Sequence, residues 1–243
     1  MNYAVILASG KGSRMKNIDI PKQYYEIDGI PIIIYTLNKF INSRLFDAIY
    51  IAINECYEEM VNELLCKFVD LEWRKKIKIV FGGKERIDSI HNVIEEIKKE
   101  KINDDDVIVI HDGVRPFVTN KILVDSINGA REYGATVAVV PVADTMLVSK
   151  NFDYVDSIPK RSEIYKGQSP DSFNLKLFVE LENKLSDEQK KIITGTSQVC
   201  TLNNHPIKMI NGDEINFKIT NDFDLMVAKS IVDNEKKFEV LYK

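Results

Sequence analysis

The stretch YAVILASGKGSRM, residues 3–15, decides the fold class that the sequence predicts. Its first half, Tyr3 to Leu7, is a continuous apolar run, which is typical of a strand buried on both faces of a parallel sheet. Its second half is a loop with two glycines, Gly10 and Gly12, and two basic residues, Lys11 and Arg14. In wound α/β sheets, ligands bind where such loops leave the carboxyl ends of the strands. The stretch therefore predicts an α/β sheet and marks one edge of it as a ligand site.

The same strand signal recurs along the chain and alternates with helical signals. Short runs rich in β-branched residues predict four more strands, at Ala48–Ile53, Ile77–Phe81, Val107–Ile110 and Thr136–Val140. Amphipathic spacing predicts helices at Pro31–Ile41, Glu58–Val69 and Ile87–Lys99, and at 119–133 between a Thr119 cap and Gly134. Strands and helices in alternation form a mostly parallel sheet with helices on both faces. The sequence thus predicts a single α/β domain over residues 1–243.

The pattern changes after Pro141. Residues 144–170 contain two short strand-like pieces around Asn151–Asp153 and no helix between them, which predicts a projecting β-arm. The remaining signals predict two helices, at Leu175–Leu185 and Lys190–Asn203, then a strand at Ile207–Ile210 and a last helix that begins at Asn221 or Asp222.

Composition excludes several classes of site. Hydrophobic residues make up 44% and charged residues 29%, as in an ordinary globular chain, and the net charge of −4 gives no general attraction to nucleic acid. The three cysteines have no CxxC spacing and the three histidines are scattered, which argues against a disulfide framework or a zinc site. No apolar run approaches the ~20 residues of a membrane span. We expect a cytoplasmic protein without nucleic-acid or membrane partners.

The first glycine loop matches neither common phosphate motif. A dinucleotide fingerprint requires a third glycine where this chain has Met15, and a P-loop requires four residues between its glycines. Arg14 and Lys22 nevertheless place two cations behind the turn, as phosphoryl or nucleotidyl transfer requires. The loop alone fits equally well a glycine turn with solvated basic residues.

Two further loops follow strands at the same predicted edge. Residues 82–89, GGKERIDS, offer glycines and a serine at a helix start, a possible oxyanion or base site. Asp112 ends a buried strand, where a carboxylate suits a hydrated Mg²⁺ that carries a triphosphate, and Arg115 follows as a possible anion ligand. A plain strand-to-helix turn and a structural Asp–Arg ion pair remain the alternatives. We expect His111 to be structural.

Seven motifs in order carry a resemblance to a known family. They are LASGKGSRM, Pro21-Lys22-Gln23, the 82–89 loop, HDGVRPF at 111–117, Asp144-Thr145, Gly167-Gln168-Ser169-Pro170 and NFKITNDFDL at 216–225. Over residues 3–232 the chain resembles the sugar-alcohol phosphate cytidylyltransferases, which include the methylerythritol 4-phosphate and ribitol 5-phosphate enzymes. The resemblance implies a Rossmann-like nucleotidyltransferase fold and transfer of CMP from CTP to a polyol phosphate, with Mg²⁺.

The resemblance also implies roles for individual residues. Arg14 and Lys22 would be catalytic, at the α-phosphate, and Asp112 would lie by the metal ion. The CTP-binding residues would be Leu7, Ala8, Ser9, Gly10, Gly82, Gly83, Lys84, Arg86 and Ser89. The residues that bind the polyol phosphate would be Arg115, Thr145, Arg161, Thr194 and Lys218. Arm exchange within a homodimer would bring Thr145 and Arg161 into the neighbouring subunit's site.

The identity of the polyol divides the family. The segment SIPKRSEIYKGQSPDSF and Ala143, where the methylerythritol enzymes usually have arginine, favour ribitol 5-phosphate and hence a teichoic-acid or capsule precursor. Gly195, where an acidic residue is usual, departs from the family pattern. Methylerythritol phosphate is the enzymatic alternative, and a silent nucleotide-binding module is the alternative from another class. An NAD-dependent oxidoreductase is disfavoured by the missing third glycine.

Overall fold

Seven strands form one central sheet in this computed structural model, which describes residues 1–10 and 20–241. The order across the sheet is β5-β4-β1-β6-β8-β7-β9, and a small antiparallel pair, β2-β3, lies apart. The strands are β1 Asn2–Ala8, β2 Glu26–Ile27, β3 Ile30–Pro31, β4 Ala48–Ile53, β5 Ile77–Phe81, β6 Val107–Asp112, β7 Ala135–Pro141, β8 Tyr165–Asn174 and β9 Lys208–Asn211. All sheet neighbours pair in parallel except β8, which is antiparallel to both β6 and β7.

Helices cover both faces of this sheet. They are α1 Ile32–Ser43, α2 Glu58–Phe68, α3 Leu71–Arg74, α4 Arg86–Ile97, α5 Asn120–Tyr133, α6 Leu175–Asn183, α7 Asp187–Ile192, α8 Gln198–Leu202 and α9 Asp222–Leu241. Alternate residues of β1 divide between two cores: Ala4 and Ile6 pack with α1, α2 and α5, whereas Tyr3 and Val5 pack with α4, α6 and α8. The predicted α/β class, with strands buried on both faces, is confirmed. No helix among the described residues is long and apolar enough to cross a membrane.

The largest difference from the sequence prediction is β8. Its sequence, YKGQSPDSFN, is polar and contains glycine and proline, so the sequence pattern predicts that residues up to 170 belong to the arm. The structure instead places Tyr165–Asn174 in the sheet, where the strand's backbone pairs with two buried neighbours. The arm is therefore limited to residues 142–164, with a single isolated bridge between Val148 and Ser157.

The second difference is the helix expected at 190–203. It is divided into α7 and α8, and five residues that include Gly195 separate them. Ser186 and Gln189 form a capping box that starts α7 earlier than expected. The side chain of Gln198 accepts hydrogen bonds from the backbone N–H groups of Thr194 and Gly195, which stabilises the break.

Candidate active site

A cavity of about 790 Å³ lies at the carboxyl ends of β1, β4, β5 and β6. This is the edge that parallel topology assigns to ligands. Its lining residues are Leu7, Ala8, Ser9, Gly10, Lys22, Gln23, Asn54, Gly82, Gly83, Lys84, Glu85, Arg86, Ser89, Asp112, Val114 and Lys218. Every described residue that the resemblance assigned to CTP lines this cavity, together with Lys22, Asp112 and Lys218.

Gln23 fixes the beginning of the first glycine loop. Its buried amide nitrogen Nε2 donates to the carbonyl oxygens of Ala8 at 2.6 Å and Gly10 at 3.0 Å. A short 3₁₀ turn, Lys22–Tyr24, carries Gln23 inward and leaves Lys22 in the cavity wall. Arg14, the other predicted catalytic cation, lies outside the described residues.

Serines and the glycines of the β5–α4 loop form a polar corner of the cavity, and the charged residues Lys84 and Glu85 of the same loop line it beside them. Ser89 Oγ accepts from the Gly83 N–H at 3.1 Å and lies 3.0 Å from Ser9 Oγ. A Cβ atom at Gly82 would lie 2.5 Å from Ser9 Cβ, so only glycine fits there. Glu85 and Asp88 form a capping box that fixes the first turn of α4 and hence the origin of Arg86.

Asp112 is the charge centre of the opposite wall. The carboxylate is 6% exposed, and Oδ1 accepts from Arg86 Nη1. Oδ2 lies 3.2 Å from both Arg115 Nε and Lys218 Nζ. Burial alone would raise the pKa of Asp112, but these three cations hold it well below its usual value. Asp112 is therefore ionised, and the surrounding wall carries an excess of positive charge.

Polar residues of β8 explain how Lys218 reaches this wall. Ser169 Oγ accepts from the Asp112 N–H at 3.1 Å, and the Ser169 carbonyl accepts from Asn216 Nδ2 at 2.8 Å. The Asn216 carbonyl in turn accepts from Arg115 Nη1 at 2.8 Å. The strand thus ties the β6 end to the segment that carries Lys218.

Arg115 and His111 have structural positions behind the wall. Arg115 does not line the cavity and acts there through Asp112. His111 is fully buried, and its Nε2–H donates to the Arg115 carbonyl at 3.1 Å. Burial lowers the pKa of His111 to about 4, so the ring is neutral near pH 7. The structure agrees with the expected structural role of this histidine.

Besides Arg115, three more residues predicted to bind the polyol phosphate lie outside the cavity. Thr145 is exposed in the arm, and Arg161 donates to the Ala143 carbonyl at 3.1 Å. Thr194 is exposed, and its hydroxyl bonds the Gln198 side chain at 3.0 Å. The fold of this chain does not bring these three to the site.

Sequence reasoning missed four lining residues: Gln23, Asn54, Glu85 and Val114. Asn54 directly follows β4, so the rule that led to Asp112 at the end of β6 also applies to it. Asp171 and Thr196, buried beside Arg86, were missed as well, because a polar strand and a helix break gave no site signal.

The donor set is suited to one kind of metal ion. Among the described residues, no group of three or more His, Cys, Asp or Glu side chains is arranged to hold a metal. Glu85 and Asp112 are the carboxylates among the lining residues, and both oxygens of Asp112 already face cations. Mg²⁺ commonly uses one or two carboxylates plus phosphate oxygens and water. The residues therefore fit a hydrated ion held mainly by a triphosphate and do not form a dedicated cage.

Comparison with known proteins gives a consistent result. The family model for 2-C-methyl-D-erythritol 4-phosphate cytidylyltransferase (IspD) matches residues 2–234. The 4-diphosphocytidyl-2C-methyl-D-erythritol synthase structure from Anaerococcus prevotii is 25% identical, covers 96% of this chain and 98% of its own, and superposes with a TM-score of 0.79. The Francisella tularensis cytidylyltransferase is 28% identical, with 93% and 97% coverage and a TM-score of 0.76. A Thermus thermophilus structure, 21% identical with 95% and 98% coverage and a TM-score of 0.72, shares the fold.

The match covers nearly the whole chain and includes every loop that lines the cavity. The chain therefore belongs to the 2-C-methyl-D-erythritol 4-phosphate cytidylyltransferase (IspD) family, whose members are nucleotidyltransferases that use CTP.

Proposed function

We propose that this protein transfers CMP from CTP to a polyol phosphate and releases pyrophosphate in the cytoplasm. The cavity carries the proposal: a polar Ser–Gly corner suits a nucleobase, and Lys22, Arg86 and Lys218 suit the phosphates of two substrates. Five of the seven family motifs contribute residues to its lining: LASGKGSRM, Pro21-Lys22-Gln23, the 82–89 loop, HDGVRPF and NFKITNDFDL.

The chemistry requires charge stabilisation and no general base. A phosphate monoester is already ionised at neutral pH, so its oxygen attacks the α-phosphorus of CTP directly. The bond from that phosphorus to the β-phosphate bridging oxygen breaks, and pyrophosphate leaves with the electron pair. Lys22, with Arg14 by motif match, stabilises the negative charge that develops on the α-phosphate oxygens. His111 is buried away from the cavity and takes no part.

A divalent ion, when bound, would neutralise triphosphate charge and orient the leaving pyrophosphate. Asp112 would lie beside it. The residues of this chain position the substrates: the glycines allow the nucleotide to approach the backbone closely, and the cations align the two anionic substrates.

2-C-methyl-D-erythritol 4-phosphate is the first candidate acceptor, because the matching family and the two structures at 25% and 28% identity carry that activity in their names. Ribitol 5-phosphate is the second candidate. Ala143, placed where an arginine is usual in the methylerythritol enzymes, supports it, since the segment around Asp144-Thr145 would meet the polyol.

We propose further that the active unit is a homodimer joined by the arm at 142–164, which overlaps most of the range 144–170 expected from sequence. Apolar side chains on the arm are strongly exposed in one subunit, including Phe152 at 98% and Tyr154 at 81%. A second copy would cover this surface and would receive Arg161 and Thr145 at its own cavity.

A turnover panel tests the function. Purified protein with Mg²⁺ should release pyrophosphate from CTP, and not from ATP, GTP or UTP, only when a polyol phosphate is present. Methylerythritol phosphate, ribitol 5-phosphate and related polyol phosphates are compared at equal concentration. If none of these polyol phosphates supports pyrophosphate release, the transferase proposal is refuted. Activity only with ribitol 5-phosphate reverses the order of the two candidate acceptors.

A further inference from the structure

Arg86 is held from two sides by other side chains of the same chain. It is the first residue of α4, its side chain is 21% exposed, and it lines the cavity. Nη1 donates to Asp112 Oδ1, and Nε donates to Thr196 Oγ1 at 3.4 Å. A guanidinium has five N–H donors, so most of its donors remain for a ligand in the cavity.

The direction of the Thr196 hydrogen bonds is fixed by chemistry. Arginine cannot accept a hydrogen bond, so Thr196 Oγ1 accepts from Arg86 and must donate its own proton elsewhere. Thr196 is fully buried, and its hydroxyl bonds the carboxylate of Asp171, which is 6% exposed. The result is a chain from Asp171 through Thr196 to Arg86.

Asp171 does not line the cavity and has no part in the reaction proposed above. It lies in β8, opposite Ile110 in β6, two residues before Asp112. The charged groups that act on it are Arg86, Asp112 and Arg115, and burial raises its pKa to about 6. A buried carboxylate disfavours folding unless it is compensated, so its presence behind a cavity-lining cation indicates a role in the site.

We propose that Asp171 and Thr196 are positioning residues that orient the Arg86 guanidinium so that its open N–H groups bind the phosphate of the polyol phosphate. This inference rests on the proposed function, and it gives Arg86, which the resemblance assigned to CTP, to the other substrate. Arg86 and Lys218 flank the same Asp112 carboxylate, whereas Lys22 lies next to Gln23, which holds the β1 loop. Two cationic regions match two phosphorylated substrates, and the Asp112 region accepts the polyol phosphate.

Substitutions at Thr196 separate positioning from structure. Thr196→Val keeps the volume and removes the hydroxyl, and we expect the KM for the polyol phosphate to rise about tenfold, the worth of one hydrogen bond to a charged group. The kcat and the KM for CTP should stay within about twofold. Thr196→Ser, which keeps the hydroxyl, should restore the wild-type KM. Thr136→Val is the matched control, since Thr136 is equally buried in β7 and its hydroxyl donates to the Ser126 carbonyl at 3.1 Å, away from the cavity lining. This variant should lower the melting temperature and leave both KM values unchanged.

A double-mutant cycle tests whether Asp171 acts through Thr196. Asp171→Asn should raise the KM severalfold in the wild-type background and add nothing to Thr196→Val. Additive effects, an unchanged KM in Thr196→Val, or equal changes in the serine and valine variants overturn the inference.

Equilibrium binding of inorganic phosphate separates this inference from the proposed function, because it requires no turnover. Weaker phosphate binding by Thr196→Val than by Thr196→Ser supports the positioning role even if the wild-type protein turns over no polyol phosphate. Equal phosphate binding by the two variants refutes the role even if the wild-type protein is an active cytidylyltransferase.

Discussion

Asp112→Asn tests the charge arrangement of the active site most directly. The asparagine keeps the shape and one acceptor oxygen and removes the negative charge that forms ion pairs with Arg86, Arg115 and Lys218. Breaking a buried ion pair by removing one partner costs about 3–5 kcal/mol. Because Lys218 is 38% exposed and stays hydrated, we expect the lower end, about 3 kcal/mol. For a chain of this size, that loss lowers the melting temperature by about 6–12 °C.

The pH dependence of this effect has a definite sign. The cations hold the folded pKa of Asp112 well below the usual value of 3.8. Below about pH 4 the unfolded chain therefore binds a proton that the folded chain does not, and wild type loses the stabilisation as pH falls. The stability gap between wild type and Asp112→Asn should be constant above about pH 5 and narrow below 4.

Urea unfolding followed by circular dichroism, at pH 7 and in steps down to pH 3.5, measures this gap. Asp104→Asn is the matched control, because Asp104 forms a solvent-exposed ion pair with Lys176 and should change the midpoint little. Equal stability of wild type and Asp112→Asn at pH 7, or a gap that widens in acid, would refute the assigned charge balance.

Three further predictions concern single features of the site. Lys22→Ala should lower kcat at least about a hundredfold while CTP still binds by calorimetry, since transition-state charge stabilisation is typically worth that much; unchanged turnover contradicts its role. Gly82→Ala should raise the KM for CTP about tenfold or more, because the new Cβ would lie 2.5 Å from Ser9 Cβ and the loop must shift. Gly167→Ala is the control and should leave this KM unchanged, since a Cβ atom at Gly167 would meet no atom within 4 Å. Wild type should lose up to about 3 kcal/mol of stability between pH 6.5 and 4, because in this range the unfolded histidine binds a proton that the buried ring, with its pKa of about 4, does not. His111→Gln should not show this loss. Equal pH dependence of the urea midpoints of the two proteins would argue against the low pKa of His111.

The sequence predicted those parts of the fold that hydrophobicity specifies. The runs at Tyr3–Leu7 and Val107–Ile110 became β1 and β6 because burial on both faces leaves an unmistakable apolar signal. The same reasoning located Ser9, Gly82 and Asp112, since each lies within two residues of the end of such a run.

What the sequence did not predict is specified by hydrogen bonds. β8 carries Gln168, Ser169, Asp171 and Ser172 into the interior, and its pairing partners and polar contacts, not an apolar pattern, place it in the sheet. The Asp171–Thr196 contact joins a strand to a helix break more than twenty residues later, and no local pattern encodes such a contact.

The insertion of β8 between β6 and β7 has a consequence for synthesis of the chain. Until residues 165–174 leave the ribosome, β6 and β7 cannot acquire their shared neighbour, and each presents an unpaired edge of a strand that is buried in the finished protein. A nascent chain at this stage is exposed to edge-to-edge association, and the domain closes only when a late, polar segment enters its middle. Proteolytic or genetic truncation before residue 165 should accordingly yield an aggregating fragment, even though five of the seven strands are present.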